Sequence, residues 1–282
     1  MKFGARQLAL SAIAAGVLAA SQGTFAHDSI RYTANEGVGG DNAVVVGHGC
    51  HVADTEHDVL AQNVLWPAGS TISTANSGTV APTGAGATPA ATLGDVIDLA
   101  DFVNQFQLIQ SKDIFAEQDE INVSPETDST IGFMGSNGRL SHNLHGETPF
   151  RYPAVTFAAA TCYNKVVVHA TVDDICDGGN HNLWVKTSDT VSAENPINNN
   201  DAGNLEELGS SVKLTFKRDL TTNPYKKHKL NRKGEAVLDR EGNPKLFPNK
   251  ACGDGLTAEL LPTVAEVNAK LPPVPNLPAP AQ

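Results

Sequence analysis

The chain has 282 residues, 31 Asp and Glu against 20 Lys and Arg for a formal net charge of −11, and 6% aromatic residues with two tryptophans. A surface of that sign repels nucleic acid and anionic lipid and suits cations. So few aromatics argue against the flat aromatic platform on which an enzyme acting on polysaccharide chains lays its substrate.

Residues 1–26 have the plan of a secretory signal: Lys2 and Arg6, an apolar run over 8–20 (LALSAIAAGVLAA), a polar SQG, then small residues at Thr24 and Ala26. The run is too short to span a bilayer comfortably, so cleavage and release to the periplasm or the exterior are expected. A cut after Ala26 makes His27 the first residue of the mature chain and leaves the protein two units more acidic. A cut after Ala20 would leave His27 inside a short polar tail.

From residue 27 to about 190 the chain reads as strands: SIRYT, NAVVVGH, QNVLW, AVTFAAATCY, KVVVHATV and LWVKT are short, rich in β-branched or aromatic residues, and separated by Gly, Pro, Asn and Asp. SVKLTFKRDL follows at 211–220. This pattern predicts an all-β fold, a β-sandwich of immunoglobulin-like or cupredoxin-like kind over residues 27–220. An insert at about 70–110 interrupts it: 70–91 is rich in Ser, Thr, Gly, Ala and Pro, and TLGDVIDLADFVNQFQLIQ, 92–110, reads either as a helix with Val96, Ile97, Leu99, Val103 and Phe106 on one face or as an apolar loop-and-strand excursion. ENPINNNDAGN, 194–204, is a turn-dense loop. Residues 221–282 read as an irregular appendage: a basic segment with a hairpin around REGNP, then the proline-rich LPPVPNLPAPAQ.

Cysteines fall at 50, 162, 176 and 252, all beyond the leader, as expected of disulfides formed in an oxidising compartment. Three pairings are open, and the one preferred here joins Cys50 to Cys162 and Cys176 to Cys252. No C-x-x-C pair is present to seat a metal on thiolates.

The nine histidines are unevenly placed. An amino-terminal His27 can grip one metal with both its α-amine and its ring Nδ1. The amine has a pKa of about 7.7–8, and metal binding drives its deprotonation. Nitrogen ligands favour copper, and Met134, the sole methionine beyond Met1, leaves no thioether set for Cu(I). His48 and His51 sit in VVVGHGCHV at the end of an apolar strand, where packing or capping is the plainer role. His142 and His145 read as loop residues, His181 as a half-buried strand residue, and His228 lies among lysines. His57 with Asp54 and some serine has no value as a triad, since any chain this long allows one. In KVVVHATV, alternation puts Val166 and Val168 on one face and Lys165, Val167 and His169 on the other, which predicts that His169 faces the wetter side of its sheet.

Three of these features together resemble the YcnI-like copper-binding family, exported bacterial β-sandwiches whose mature chain begins with the histidine that binds Cu(II). They are His27 directly after the leader, the His48-Gly49-Cys50 step followed by a strand ending in VLWPAG at 64–69, and YPAVTFAAATCYNKVVVH at 152–169. In the family a later strand carries a cysteine seven residues ahead of a tryptophan at the metal. Here Cys162 plus seven is His169, so the resemblance implies that an aromatic lid has become a nitrogen ligand. The family's acidic ligand is not placed by motif; Glu56 and Asp54 are the nearest candidates. The overlap covers 27–69 and 150–220.

The sequence thus leads to an exported, non-enzymatic copper-binding protein that holds Cu(II) through His27, with His169 and His48 or His51 as further ligands. Its expected partners are the copper ion and a membrane copper transporter or recipient cuproprotein, with no nucleic acid and no membrane insertion after processing. The alternatives are a structural or surface β-sandwich without a metal role and, behind it, a copper-dependent oxidative enzyme. No G-x-S-x-G, H-E-x-x-H or phosphate-cradling glycine loop supports a hydrolase.

Overall fold

The computed structural model describes residues 28–52, 55–68, 74–75, 93–98, 105–122, 130–189, 191–192, 197, 207–208 and 211–271. In chain order the strands are β1 (Ser29–Ile30), β2 (Ala34–Asn35), β3 (Gly40–Val46), β4 (Cys50–Val52), β5 (Thr55–His57), β6 (Val59–Leu65), β7 (Thr74–Ala75), β8 (Gln107–Leu108) and β9 (Phe115–Asn122). They continue with β10 (Thr130–Gly138), β11 (Gly146–Tyr152), β12 (Tyr163–Cys176), β13 (His181–Val185), β14 (Glu207–Leu208), β15 (Val212–Lys217), β16 (Lys226–His228), β17 (Leu246–Pro248) and β18 (Leu256–Leu260). One helix, α1 (Val264–Lys270), closes the described chain. Thr263 starts it with a capping box, its hydroxyl taking the Glu266 N–H while the Glu266 carboxylate reaches back.

The strands form a β-sandwich. A four-stranded sheet, β1-β3-β11-β8, lies against a ten-stranded sheet whose main path is β14-β13-β12-β6-β10-β9. Alternation supplies the core between them: Val44, Phe150 and Tyr152 from the small sheet meet Val64, Phe133, Val166, Val168, Val172 and Phe216 from the large one. Trp66 is fully buried among Phe106 and Phe150, with ring centroids 4.9 and 5.3 Å away.

The 14-residue strand β12 organises the large sheet. Its first half pairs with β15 (antiparallel) and β18 (parallel), and its second half, from Thr171, pairs with β6 and β13. It has partners on both sides along its length. A second, smaller core covers the outer face of the second half, with Leu65, Leu183 and Val185 packed with Val264 and Val267 of α1.

Two expectations need correction, and one open alternative is resolved. The disulfides are Cys50–Cys176 and Cys162–Cys252, not Cys50–Cys162 and Cys176–Cys252. The reason is the length of β12, which carries Cys176 about 45 Å beyond Cys162, so the two cysteines serve opposite ends of the sandwich. Of the two readings of 92–110, the described parts follow the loop-and-strand one, with no α-helix. Leu93–Asp95 make a single 3-10 turn, Ile97 bridges to Phe157, and Gln107–Leu108 extend the small sheet, with Leu93, Val96, Ile97 and Phe106 buried in the main core. Nor is the segment after 221 only an appendage, since β18 joins the large sheet and α1 caps the second core.

What does project is residues 226–250, a small lobe with an eight-residue repeat: LNRKGEAV at 230–237 and LDREGNPK at 238–245, followed by a third leucine, Leu246. Each repeat makes a turn on an Asx side chain. Asn231 Oδ1 accepts the N–H groups of Lys233 and Glu235, and Asp239 Oδ1 those of Glu241 and Asn243. Gly234 and Gly242 take the positive φ (82° and 84°) that the turns require. The N–H of Lys229 bonds the carbonyl of Lys245, that of Lys245 the carbonyl of Val237, and that of Val237 the carbonyl of Lys229, closing a ring. The pairs Leu230↔Ala236, Leu238↔Pro244 and Leu246↔His228 repeat around it, so the lobe has pseudo-threefold symmetry. The expected hairpin around REGNP is one of its three arms. At its root Arg218, buried beneath the Tyr225 ring, donates to the carbonyls of Thr161, Tyr163, Asn223 and Pro224, and Cys162–Cys252 ties the returning strand to the start of β12.

Candidate functional site

At the Cys176 end of β12 the chain leaves β3 at Val46 and turns through Gly47, His48 and Gly49 into β4. Gly49 is required by close approach, because a Cβ would collide with the His57 carbonyl oxygen and press on the His142 side chain at 2.9 Å. The disulfide Cys50–Cys176 pins the turn to β12. Around it, imidazoles are held by carboxylates at Nδ1: His51 by Glu56, His57 by Asp177 and His142 by Asp58, each at 2.8 Å. A carboxylate at Nδ1 fixes ring tautomer and orientation, the support that metal-ligating histidines use. Asp58 also accepts the His142 backbone N–H (2.8 Å) and the Arg139 Nε–H (2.6 Å). Burial acts to raise the Asp58 pKa, but these hydrogen bonds outweigh it and hold the carboxyl below its ordinary value. Among the described residues, no three His, Cys, Asp or Glu side chains converge as a metal site.

Behind the turn, between the sheets, lie buried acids that the sequence reading passed over. Asp28 precedes β1, whose register with β3 pairs Ser29 with Val45. Its side chain is buried, with Oδ1 3.2 Å from the Gly47 N–H, and its carboxyl lies beside that of Asp174 of β12. Asp174 also accepts from Gln62 Nε2 (2.8 Å), whose Oε1 accepts from Thr148 (2.7 Å). Burial, and then the neighbouring Asp174 charge, push the Asp28 carboxyl well above its usual range. Burial likewise pushes Asp174 up to about 6, against hydrogen bonds from Asp28 and Gln62 that pull it down. Two carboxyls in such contact share a proton and titrate as a pair. On the other face of β12, Asp173 accepts from His181 Nδ1 at 3.0 Å, and that bond raises the His181 pKa against its burial.

His169 is elsewhere. The alternation read from sequence holds, since Val166 and Val168 fill the main core and His169 shares the opposite face with Lys165, but His169 is only 1% exposed. The face is wet at Lys165 and covered by residue 169, where Ser211, Lys186 and Glu259 close over the ring. Nδ1 meets the Ser211 hydroxyl at 2.6 Å, and Nε2 lies 3.5 Å from Glu259. Desolvation drives its pKa down to about 4, so the ring is neutral and held. Asp174 lies five residues further along β12, about 17 Å away.

The four histidines singled out from sequence therefore do not form one cluster. His48 stands in the Gly47–Gly49 turn with its Nδ1 against the Gly49 carbonyl, and His51 follows in β4, exposed beside Glu56. His169 belongs to a separate buried site, and His27, like Asp54, lies outside the described residues. The missed residues had one legible signal each: Asp28 directly follows the mature terminus expected from the leader, and Asp173-Asp174 extend an apolar strand with two charges.

The paired disulfides place the folded chain in an oxidising, extracytoplasmic compartment. No helix among the described residues is long and apolar enough to cross a membrane. No protein-family model matches the chain, and no curated protein matches it. Among solved structures it is similar to an uncharacterized protein from Nocardia farcinica whose crystal structure reveals an immunoglobulin-like fold, at 8% identity and a TM-score of 0.35, over 68% of this chain and 99% of that one.

Proposed function

We propose that this is an exported protein that holds Cu(II) at the amino terminus freed by cleavage after Ala26, and that it serves periplasmic copper handling or delivery rather than catalysis. The observation that carries the reading is the fixed position of Asp28. Its buried side chain spans the Gly47 N–H and Asp174. A chain beginning at His27 would start one Cα step, about 3.8 Å, from that anchor. A chelate of α-amine and ring Nδ1 draws both its donors from residue 27, so it needs position rather than a preassembled ligand cluster. Asp28 is bonded to Gly47, and His48 follows Gly47, which makes His48 the favoured further imidazole. His169, far along β12, is not favoured. The acidic residues near that end favour the approach of a cation.

The test is calorimetric titration of Cu(II) into protein purified from the periplasm, with its amino terminus sequenced. His27→Ala, and separately one extra residue ahead of His27, are each expected to abolish tight binding, since either removes one arm of the chelate. Undiminished affinity in both variants overturns the proposal.

A further inference from the structure

We infer that the pseudo-threefold lobe at 226–250 is a docking surface for an anionic lipid bilayer, an inference independent of copper. The net charge of −11 hides a segregation, because residues 226–250 hold eight of the chain's 20 Lys and Arg but three of its 31 acids. Among the described residues, none of these eight cations is engaged in an ion pair. Seven of them are exposed, Lys226 being the partly covered one at the root.

The cations surround apolar side chains that the fold leaves in water. Leu230, Leu238 and Leu246 are 47%, 52% and 38% exposed, and Phe247 is 44% exposed. The three leucines occupy the same place in successive repeats, so the pseudo-threefold axis puts them on one side of the ring. Arg232 and Arg240 follow two of them at equivalent positions. On the β16–β17 ribbon, Phe247 pairs with Lys227 and lies beneath the Lys229 ammonium at 5.5 Å. Lys227, His228, Lys229, Leu230 and Phe247 line a groove of about 440 Å³.

Apolar tips ringed by cations match the interfacial zone of an anionic membrane, where acyl chains lie just beneath negative headgroups. The acidic body of the same molecule is repelled by that surface, so the field orients the lobe toward it. The acidic body of a second copy would satisfy the cations but not the leucines. The other exposed large hydrophobics among the described residues, Tyr32, Val38, Leu144 and Leu220, each stand on a different loop and make no matching patch. The root secured by Arg218 and Cys162–Cys252 holds the lobe rigidly for such contact.

The experiment is flotation of the mature full chain with vesicles of pure phosphatidylcholine and with vesicles in which a third of the lipid is phosphatidylglycerol. Binding is expected only to the second. It should weaken as salt rises, because the screening length falls from about 10 Å at 0.1 M to about 3 Å at 1 M. Leu230→Ser/Leu238→Ser/Leu246→Ser should lower vesicle affinity roughly a hundredfold by removing half-exposed apolar area. Lys227→Gln/Arg232→Gln/Arg240→Gln should lower it by roughly as much through charge. Both sets change exposed side chains, and an unaltered thermal midpoint confirms folding. Equal binding to both vesicle types, or anionic-vesicle binding that neither variant weakens, overturns the inference. Dimerisation in sedimentation velocity that the leucine variant abolishes, without vesicle binding by the parent chain, overturns it in favour of a second copy.

Discussion

Strand β12 carries two buried polar sites of opposite character, and the contrast between them bears on where function lies. His169 is enclosed by Ser211, Lys186 and Glu259 and kept neutral by desolvation. Asp174, five residues on, is also fully buried, but its carboxyl lies beside that of Asp28, the residue that follows the proposed mature terminus. A polar group sealed among partners from its own domain stabilises or specifies packing. One set against the segment that leads to the proposed processed terminus positions that terminus. By this criterion the proposed copper function belongs to the Asp174 end of β12, with its disulfide-pinned turn and carboxylate-held histidines.

The largest expected effect comes from untying that end. Cys50–Cys176 spans 126 residues of sequence, and a closed loop of that length constrains the unfolded chain by about 5 kcal/mol. Cys50→Ala/Cys176→Ala is expected to lose about that much in denaturant unfolding. It should also weaken Cu(II) affinity, since the Gly47–Gly49 turn that anchors Asp28 is freed. A variant that loses stability while binding copper as before would separate the turn from the site and break the contrast.

NAVVVGH, QNVLW, KVVVHATV, LWVKT and SVKLTFKRDL were legible from their β-branched and aromatic residues, whereas β9, β10 and β11 were not read. AVTFAAATCY, expected as a strand, makes only the Phe157 bridge before β12 begins. The continuation of KVVVHATV through Asp173, Asp174, Ile175 and Cys176 was not recognised, because aspartate is a poor strand former. Partners on both sides override that preference, and the missed extension is also what misassigned the disulfides. His169 drew attention as a lone polar ring in an apolar strand, but its cover comes from Ser211 and Glu259, distant in sequence. Within the lobe only a hairpin around REGNP was read from sequence, and the repeat in LNRKGEAVLDREGNPK went unread, because a ring closed by Lys229, Val237 and Lys245 depends on three-dimensional pairing that a linear hairpin pattern does not express. Net charge misled in the same way, since it averages an acidic body with a basic lobe.

Asp174→Asn gives the next effect. The folded carboxyl titrates at about 6 against an ordinary 3.8, so between those values the native state binds more protons than the unfolded one and stability falls as pH rises. The amide keeps the acceptor for Gln62 and does not ionise. The variant should match the parent near pH 4 and exceed it by about 2 kcal/mol at pH 7, measured by urea unfolding across that range. An unchanged pH profile would show that the buried pair is not what sets the slope.

His169→Gln is expected to have the smallest effect at neutral pH and the opposite slope. The folded ring titrates near 4 against an ordinary 6.5, so in that window the unfolded state binds the extra proton and the parent loses stability as pH falls. Glutamine retains a hydrogen-bonding head toward Ser211 without a charge to acquire. At pH 7 the variant should lose about 1 kcal/mol of packing and hydrogen bonding, while at pH 4 it should equal or exceed the parent. Its Cu(II) affinity should be unchanged, because the ring lies about 17 Å along the strand from Asp174. A drop in copper affinity with the fold intact would make His169 a contributor to the metal site after all, and the two ends of β12 would have to be read as one device.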